Sequence, residues 1–363
     1  MKKIFLIDYS SYDNYGSYVD EILKASAETN QIKAFTHVNY QYDRKNVYPI
    51  FDFISSKLPF NFIKKFSKYC EMWVSFFVCI CYLYFFESGK KLILISLYQS
   101  FNPYLALVKT LKSLGIEVAI IVHDLIPLQS TYPAIIMTNQ ERILKESNYF
   151  IVHTDHSNIG LQSYGIPTYQ FRFPLLSPYG LKYQQKKDDK KPITFLFLGH
   201  LRKEKGIEIL INAWFKLENT YENIELIIAG TGPASYDKKI SNLKSIKRIN
   251  KYISDADYFD LIQNCDYGIL PYTGGTNSGI LSTFTSLSKP VITSDILLFK
   301  ESKLTTNELV FISGSSDSLF HLLEKIILGK YDQNKLINDV NIIRDSYKEK
   351  FKTEVNEFLK KIN

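Results

Sequence analysis

The chain has 363 residues, a net charge of +7 from 44 basic and 37 acidic side chains, and a hydrophobic content of 45%. This length is too great for one ordinary hydrophobic core and predicts two domains. No arginine-rich arm, zinc-finger spacing or helix-turn-helix pattern occurs, so nucleic acid is not an expected partner. A mildly basic protein suits an anionic ligand or an anionic membrane surface.

The cysteines and the N-terminus indicate the compartment. The cysteines are Cys70, Cys79, Cys81 and Cys265. They lack metal-ligand spacing and three lie in an apolar run, which predicts small core residues in a reducing compartment. The apolar run at 4–7 ends in Asp8 without a small-residue cleavage site, so it predicts a first strand and not a signal peptide. We expect a cytoplasmic protein, with the inner face of the membrane as a second location.

Apolar runs alternate with amphipathic helical patterns along the first half of the chain. Predicted strands are 4–7, 32–38, 91–97, 117–122 and 147–152, and predicted helices are 18–27 and 104–114. This alternation predicts a parallel, doubly wound sheet, in which ligands bind beyond the carboxyl ends of the strands. The polar, charged segment 177–192 predicts a linker. The first domain would then cover residues 1–176.

The second half of the chain repeats this alternation. Predicted strands are 193–198, 225–229, 248–253, 267–270 and 291–293, and predicted helices include 206–217 and 258–264. The second domain would cover residues 193–335, followed by a C-terminal helix at 336–363. The predicted fold class is therefore α/β, with two Rossmann-like, doubly wound domains that face a cleft.

The apolar run at 72–86 has two interpretations. It is 15 residues long, shorter than the roughly 20 residues that a transmembrane helix needs. A helix buried against a sheet is favoured. Phe60, Phe62 and Phe66 lie among lysines just before it, and this pattern also suits a surface that rests in lipid headgroups. Peripheral membrane contact is kept as the alternative.

The stretch 193–210 has the pattern of an anion site. A buried strand ends at Gly199, and Arg202 and Lys205 follow before an amphipathic helix begins near Gly206. A helix start offers unpaired N–H groups and a positive dipole end. A guanidinium binds phosphate oxygens bidentately, and an ammonium adds a point charge. The alternative is an ordinary turn whose charges are solvated.

Two more glycine-rich segments follow, IAGTGP at 228–233 and PYTGGTNSG at 271–279. Together the motifs resemble the two-domain GT-B glycosyltransferases, in particular glycosyltransferase family 4. The resemblance covers nearly the whole chain and is strongest over 193–293. Residues 199–206 are similar to a subgroup that reads G-x-x-R-x-x-K-G, and 278–281 to its S-G-[VI]-L. The resemblance implies a nucleotide-diphosphate sugar donor of UDP or GDP type, with no cofactor and no metal.

The resemblance also implies roles in the second domain. Arg202 and Lys205 would bind the donor diphosphate, and Tyr252 and Ile253 would lie at the nucleotide base. Further donor-binding positions would be the glycine turns Gly199 and Gly230 and the helix start at Asn277, Ser278 and Gly279. The family's paired glutamates fall at Gly275 and Thr283, neither of which is acidic. Thr283 would then replace the carboxylate that contacts the ribose.

In the first domain, the resemblance points to His123 and Asp124, which follow the strand at 117–122. His123 would bind a sugar hydroxyl or assist a proton, and Asp124 would orient it or act on the acceptor. Tyr15 and Gly16 fall where the family contacts its acceptor. The spacing of His153, Asp155 and His156 is metal-like, but a turn after a strand is favoured.

The sequence thus predicts a hexosyltransferase that moves a sugar from a nucleotide-diphosphate sugar to a glycan acceptor. The expected setting is surface polysaccharide biosynthesis (capsule, O-antigen or exopolysaccharide), with the acceptor on a lipid carrier. Family 4 enzymes are retaining, so retention is expected here. Two alternatives stay open: a non-catalytic partner protein of the same fold, and an epimerase acting on the nucleotide sugar itself.

Overall fold

The computed structural model describes residues 2–11, 16–27, 32–43, 45–54, 61–97, 102–123, 133–177, 192–275 and 278–362, with only the backbone for 61–65 and 133–136. Contacts divide the chain into two compact units. Unit 1 is Met1–Pro174 with Lys350–Asn363, and unit 2 is Leu175–Glu349. The predicted linker falls almost wholly outside the described ranges.

Unit 1 is built on a seven-stranded sheet. Its strands are β1 (Lys3–Ile7), β2 (Ile32–His37), β3 (Val47–Phe51), β4 (Lys91–Leu97), β5 (Glu117–Val122), β6 (Tyr149–Val152) and β7 (Thr168–Gln170). They pair in parallel in the order β3-β2-β1-β4-β5-β6-β7. The strand order reverses between β1 and β4, which makes this the topological switch point of the sheet.

Among the described residues of unit 1, five helices connect these strands, and the end of a sixth helix belongs to the same unit. They are α1 (Gly16–Ala25), α2 (Asn61–Phe85), α3 (Asn102–Ser113), α4 (Pro133–Glu146) and α5 (Asp155–Leu161). One face of α2 packs into the core through Met72, Phe76, Cys79 and Leu83. By length and composition alone, Phe66–Phe85 could cross a membrane, and 33% of that window is buried. The apolar segment is thus longer than the sequence run suggested.

Unit 2 is built on a six-stranded parallel sheet. Its strands are β8 (Ile193–Leu198), β9 (Ile224–Ala229), β10 (Ile246–Ile249), β11 (Tyr267–Leu270), β12 (Val291–Ser294) and β13 (Val310–Phe311). Their order is β10-β9-β8-β11-β12-β13, so the switch point lies between β8 and β11. The inner residues of β8, Phe195 to Leu198, are at most 1% exposed, as a strand covered on both faces requires.

The helices of unit 2 complete the doubly wound arrangement. They are α6 (Ile207–Glu218), α7 (Ala234–Ile240), α8 (Asp255–Asn264), α9 (Gly279–Ser286), α10 (Leu297–Ser302) and α11 (Ser316–Ile327). The last helix, α12 (Gln333–Ile362), begins in unit 2 and ends in unit 1. The predicted fold class, two parallel α/β domains, is confirmed.

The differences from the predicted elements have local causes. Strand β3 was missed because Pro49 lies within it, but β3 is an edge strand where a missing N–H is tolerated. The strand predicted at 248–253 ends at Ile249, because its partner strand β9 ends at Ala229, the residue paired with Ile249. Cys79 and Cys265 are buried as predicted, whereas Cys70 is exposed on α2, so it is not a core residue.

Candidate functional site

The carboxyl ends of β8, β9 and β11 in unit 2 are joined by turns that require glycine. Gly199 and Gly230 have φ values of +119° and +132°, and a Cβ on Gly230 would lie 2.0 Å from the Gly199 carbonyl oxygen. Gly206 has φ +69°, and its Cβ would lie 1.7 Å from the Pro271 carbonyl oxygen. Any side chain here would push these loops apart. The predicted glycine turns therefore form one interlocked structure.

An arginine that sequence reasoning missed holds the second of these turns. Arg248 Nη1 donates to the carbonyl oxygens of Ile228 (3.1 Å), Gly230 (2.7 Å) and Ile249 (2.8 Å). Its Nε donates to Asp237 Oδ1 at 2.8 Å. A cationic clamp on three carbonyls fixes the turn beyond β9. Only the position of Arg248 as the first residue of a predicted strand could have drawn attention to it.

The predicted phosphate-binding cations lie on the turn between β8 and α6. Arg202 has an extended backbone and precedes a 3-10 turn, Lys203–Lys205. Its side chain is 21% exposed and pairs with Glu204 at 3.1 Å. Lys205 Nζ lies 3.8 Å from the ring centroid of Tyr272, a buried residue just after β11. The cations are therefore held against the protein, which weighs against an ordinary solvated turn.

The turn is also attached to the neighbouring strand end. The N–H of Thr273 donates to the Glu204 carbonyl oxygen at 2.9 Å. This bond ties the cation-bearing turn to the loop that follows β11. Since β8 and β11 flank the switch point, Arg202 and Lys205 are attached where ligands of such sheets bind.

Helix α9 begins in the same loop. Ser278 is its N-cap, and its Oγ accepts from the N–H of Leu281 at 3.2 Å. Gly279 is the first helical residue, and a Cβ there would lie 3.2 Å from Leu176. The remaining N–H groups of the first turn give this helix start a positive end. Asn277, the other predicted residue here, lies outside the described ranges.

The Thr283 hydroxyl is already hydrogen-bonded within the protein, which limits the contact it was predicted to make with the ribose. The residue is buried, and its Oγ1 donates to the Gly279 carbonyl oxygen at 2.9 Å. The same oxygen accepts from the Tyr258 hydroxyl at 3.4 Å. Its proton is therefore already committed inside α9, and a ribose hydroxyl could only donate to it. The ribose contact stays a prediction.

Tyr252 and Ile253, predicted to lie at the nucleotide base, follow β10. The Tyr252 side chain is 69% exposed, whereas Ile253 packs partly against the unit 2 core. An exposed aromatic ring near the carboxyl ends of the strands is suited to stacking on a planar base. Across the part of the chain that the structure describes, no group of three or more His, Cys, Asp or Glu side chains could hold a metal ion.

The carboxyl ends of β1, β4, β5 and β6 in unit 1 carry a buried polar cluster. It consists of Asp8, Tyr18, Ser96, His123 and His153, all at most 7% exposed. Ser96 Oγ lies 2.8 Å from His123 Nε2, and the Tyr18 hydroxyl lies 3.0 Å from His153 Nε2. The ring of Tyr18 packs edge-on against His123, with centroids 4.9 Å apart. We call these five residues the unit 1 cluster.

Burial keeps both histidines of the cluster neutral. It lowers the pKa of His123 well below its usual value, and the neighbouring His153 lowers it further. Burial also lowers the pKa of His153 to about 4. His153 Nδ1 lies 3.0 Å from the Phe171 carbonyl oxygen, which can only accept. Predicted residue His123 thus sits at a strand end, next to three polar residues that the sequence did not single out.

The remaining predictions for unit 1 have mixed outcomes. Gly16 is the buried first residue of α1, where a Cβ would contact the Tyr42 ring at 3.1 Å. Tyr15 and Asp124 lie outside the described ranges. Asp155 is the first residue of α5, and Thr154 caps that helix by accepting from the Ser157 N–H. Residues 153–154 therefore form the bend after β6, whereas Asp155 and His156 already belong to α5.

Comparisons with known proteins bear on both units. Residues 192–327 match the family model described as glycosyl transferases group 1. No curated protein matches the sequence. Similar solved structures include sucrose-phosphate synthase from Thermosynechococcus elongatus, 14% identical with a TM-score of 0.67, over 99% of this chain and 98% of that chain.

Two further structures are similar over the whole chain. HepE from Anabaena, solved with UDP and glucose, is 14% identical with a TM-score of 0.63, over 100% of this chain and 99% of that chain. The lipopolysaccharide outer core galactosyltransferase WaaB is 14% identical with a TM-score of 0.58, over 98% and 99%. Likeness at such low identity establishes the fold. The chain therefore has the GT-B fold, and its residues 192–327 are similar to the group 1 glycosyl transferases.

Proposed function

We propose that this protein is a glycosyltransferase that moves a hexose from a nucleoside-diphosphate sugar to a glycan acceptor. The observation that carries the proposal is the turn at the switch point of unit 2. There Arg202 and Lys205 are held beside interlocked glycine turns, one of which, at Gly199, approaches Ile280 in the first turn of α9. Donor-bound neighbours such as HepE support a UDP-type donor.

This arrangement suits the chemistry of sugar transfer. As the bond between the sugar and its nucleotide breaks, negative charge builds on the departing diphosphate, and the sugar becomes oxocarbenium-like. Arg202, Lys205 and the first amides of α9 would stabilise the diphosphate charge without rearrangement. His123, neutral at physiological pH, would bind a sugar hydroxyl or move a proton. Retention of configuration is proposed from the family resemblance.

Donor binding is tested by thermal stability against nucleoside diphosphates and nucleotide sugars. Binding to the folded state raises the melting temperature, and we expect one diphosphate to do so. Arg202→Ala should abolish the shift because it removes a charge-assisted contact. Lys203→Ala is the matched control, an exposed cation on the same turn, and should keep it. A well-folded protein that no nucleotide stabilises would contradict the proposal.

Turnover separates the proposal from its alternatives. The wild-type protein, given the stabilising donor and a polysaccharide-repeat acceptor, should release the nucleoside diphosphate and lengthen the glycan. A non-catalytic partner protein would bind the nucleotide without release. An epimerase would convert the sugar nucleotide with no acceptor present, which proton NMR of the donor detects.

We also propose that the acceptor is lipid-linked and that the protein works at a membrane surface in the cytoplasm. The solvent side of α2 supports this. Its exposed apolar side chains, which we call the α2 surface, are Phe66, Tyr69, Trp73, Val74, Phe77, Val78, Tyr84 and Phe85. No exposed side chain on α2 from Phe66 onward is charged. Soluble proteins rarely expose so continuous an apolar stripe.

A bilayer with anionic lipids fits this surface best. The opposite face of α2 is buried in the unit 1 core, so the helix would lie in the headgroup layer and not cross it. Tyrosine and tryptophan favour that layer. The only acidic residue of α2 is Glu71, which is buried and accepts from the N–H of Ile54. The net charge of +7 adds attraction to anionic lipid.

Co-sedimentation with phosphatidylcholine vesicles, with and without phosphatidylglycerol, tests membrane contact. We expect the protein to sediment with the anionic vesicles and Phe77→Asp to weaken this strongly. Phe215→Asp is the matched control, because Phe77 and Phe215 are 65% and 59% exposed. Absence of binding would contradict membrane contact. A wild-type dimer that Phe77→Asp dissociates would instead assign the α2 surface to a second copy of the chain.

A further inference from the structure

The unit 1 cluster contains an aspartate whose burial disfavours its anionic form. Asp8 directly follows β1 and is fully buried. Its Oδ1 accepts from the N–H of Ser10 at 2.9 Å, and its Oδ2 has no hydrogen-bond partner among the described residues. An unsatisfied buried carboxylate oxygen is costly, so a purely structural residue at this position would be expected to be apolar or fully bonded.

The proton on His153 can be assigned from its partners. The Phe171 carbonyl oxygen only accepts, so the neutral ring carries its proton on Nδ1. Its Nε2 then accepts from the Tyr18 hydroxyl. The Tyr18 hydroxyl therefore donates a hydrogen bond to His153, and the Tyr18 ring packs edge-on against His123. The Tyr18 hydroxyl therefore does not donate to His123, whose Nε2 lies beside Ser96 Oγ.

Ser96 is the group that connects Asp8 with His123. Its Oγ lies 2.8 Å from His123 Nε2. Asp8 and Ser96 directly follow Ile7 and Ile95, which are paired in the neighbouring strands β1 and β4. The Ser96 hydroxyl therefore lies beside the Asp8 carboxyl and favours its charged form, which lowers the pKa of Asp8. A serine hydroxyl has a single proton to donate. The direction in which Ser96 donates is thus decided by the charge on Asp8.

We propose that Asp8, acting through Ser96, is a positioning residue that sets the tautomer of His123. When Asp8 is ionised, the Ser96 proton turns toward the carboxylate, and Ser96 Oγ accepts from His123 Nε2–H. The neutral imidazole then carries its lone pair on Nδ1. When Asp8 is protonated, its O–H points to Ser96, Ser96 donates to His123 Nε2, and the ring proton lies on Nδ1.

Asp8 changes its charge in a pH range where this switch can operate. Burial raises the pKa of Asp8 from 3.8 to about 7, against the effects of Ser96 and the Ser10 N–H. The other titratable groups whose charge acts with Asp8 are the hydroxyls of Tyr18 on α1, Tyr40 beyond β2 and Tyr104 on α3. Around His123 they are Tyr18 and His153. Both histidines stay neutral over the pH range in which Asp8 titrates.

The tautomer is a property of the protein and is measured without substrate. Nitrogen-15 NMR of histidine-labelled protein distinguishes protonated from unprotonated ring nitrogens, and the signal of His123 is the one that His123→Gln removes from the set of six. We expect the proton on Nε2 at pH 8.5 and on Nδ1 at pH 5.5. Asp8→Asn should hold the low-pH tautomer at both values, because its amide donates to Ser96 as a protonated carboxyl does.

Ser96→Ala is the second variant and should remove the pH dependence of the His123 signal. If Asp8→Asn does not fold, the wild-type pH series and Ser96→Ala still decide the proposal. One tautomer at both pH values in the wild type would overturn it. An Asp8→Asn protein with the wild-type tautomer at pH 8.5 would also overturn it.

A second measurement rests on the proposed function. If His123 acts in sugar transfer, kcat should show a transition near pH 7 that Asp8→Asn removes, with the Kd of the nucleoside diphosphate unchanged. A tautomer switch without that transition would leave the positioning of His123 intact and reject its catalytic role. Absence of turnover beside a clear switch would reject the proposed function alone.

Discussion

The carboxyl ends of the two sheets share a topology but differ in chemistry. In unit 2 the strand ends carry part-exposed cations and glycines at positive φ, interlocked by backbone contacts. In unit 1 the strand ends carry a buried cluster with two neutral histidines and an aspartate whose pKa is raised to about 7. The first arrangement suits a permanent anion, and the second suits groups that exchange protons.

The difference shows how one architecture separates two tasks. Loops of unit 2 approach each other so closely that only glycine fits where they touch. This close approach brings backbone N–H groups and cations to one place. Unit 1 instead excludes water around His123, which holds the imidazole neutral. We therefore expect mutations in unit 2 to change donor affinity and mutations in unit 1 to change turnover.

The largest effect should come from Gly206→Ala. Its Cβ would lie 1.7 Å from the Pro271 carbonyl oxygen, so the loops must separate, at a cost above about 4 kcal/mol in the free energy of unfolding. Gly329→Ala is the matched control, with φ +67° against +69° and no atom within 4 Å. It should cost only about 1–2 kcal/mol, the backbone strain alone. Equal losses in denaturant unfolding would refute the close approach.

The second-largest effect should be a pH-dependent stabilisation of the folded protein by Asp8→Asn. Asp8 has a pKa of about 7 in the folded protein against 3.8 ordinarily, so the folded state holds a proton that the unfolded chain releases. Wild-type stability should therefore fall as pH rises from about 4 to 7, whereas Asp8→Asn does not titrate. Urea unfolding at pH 8 should find Asp8→Asn more stable by about 2–3 kcal/mol.

At pH 5 most of that difference should disappear, because wild-type Asp8 is then protonated in the folded state. The same gain at both pH values would mean that ionisation of Asp8 is not its cause. A loss of stability at pH 8 would mean that the carboxylate is satisfied in the folded protein.

The smallest effect concerns Tyr252. Loss of its exposed ring in Tyr252→Ala should weaken nucleoside diphosphate binding about fivefold, equivalent to about 1 kcal/mol of base stacking. Tyr252→Phe keeps the ring and should bind as the wild type does. If titration calorimetry gives equal affinity for all three proteins, the base does not stack on this residue.

The sequence predicts most accurately those elements that a short local pattern decides. The strands at 91–97, 117–122, 193–198 and 267–270 have the predicted bounds, because each is a short apolar run covered on both sides. Gly199 and Gly230 were predictable because only glycine adopts such φ values easily. The paired cations at Arg202 and Lys205 followed from the same motif.

What could not be predicted depends on contacts between distant segments. Asp8, Ser96 and His153 join His123 only because β1, β4, β5 and β6 are neighbours in the sheet. Arg248 clamps three carbonyls from two strands. The solvent side of α2 has the same apolar composition as its core side, so the sequence alone favoured burial.

The most direct test of the separation between the units compares Arg202→Ala with His123→Gln in binding and in turnover. Titration calorimetry with the nucleoside diphosphate should find affinity lowered about 10–100-fold by Arg202→Ala and unchanged by His123→Gln. With donor and acceptor at saturation, His123→Gln should lower kcat. Equal loss of affinity in both variants, or unchanged affinity in Arg202→Ala, would contradict the account.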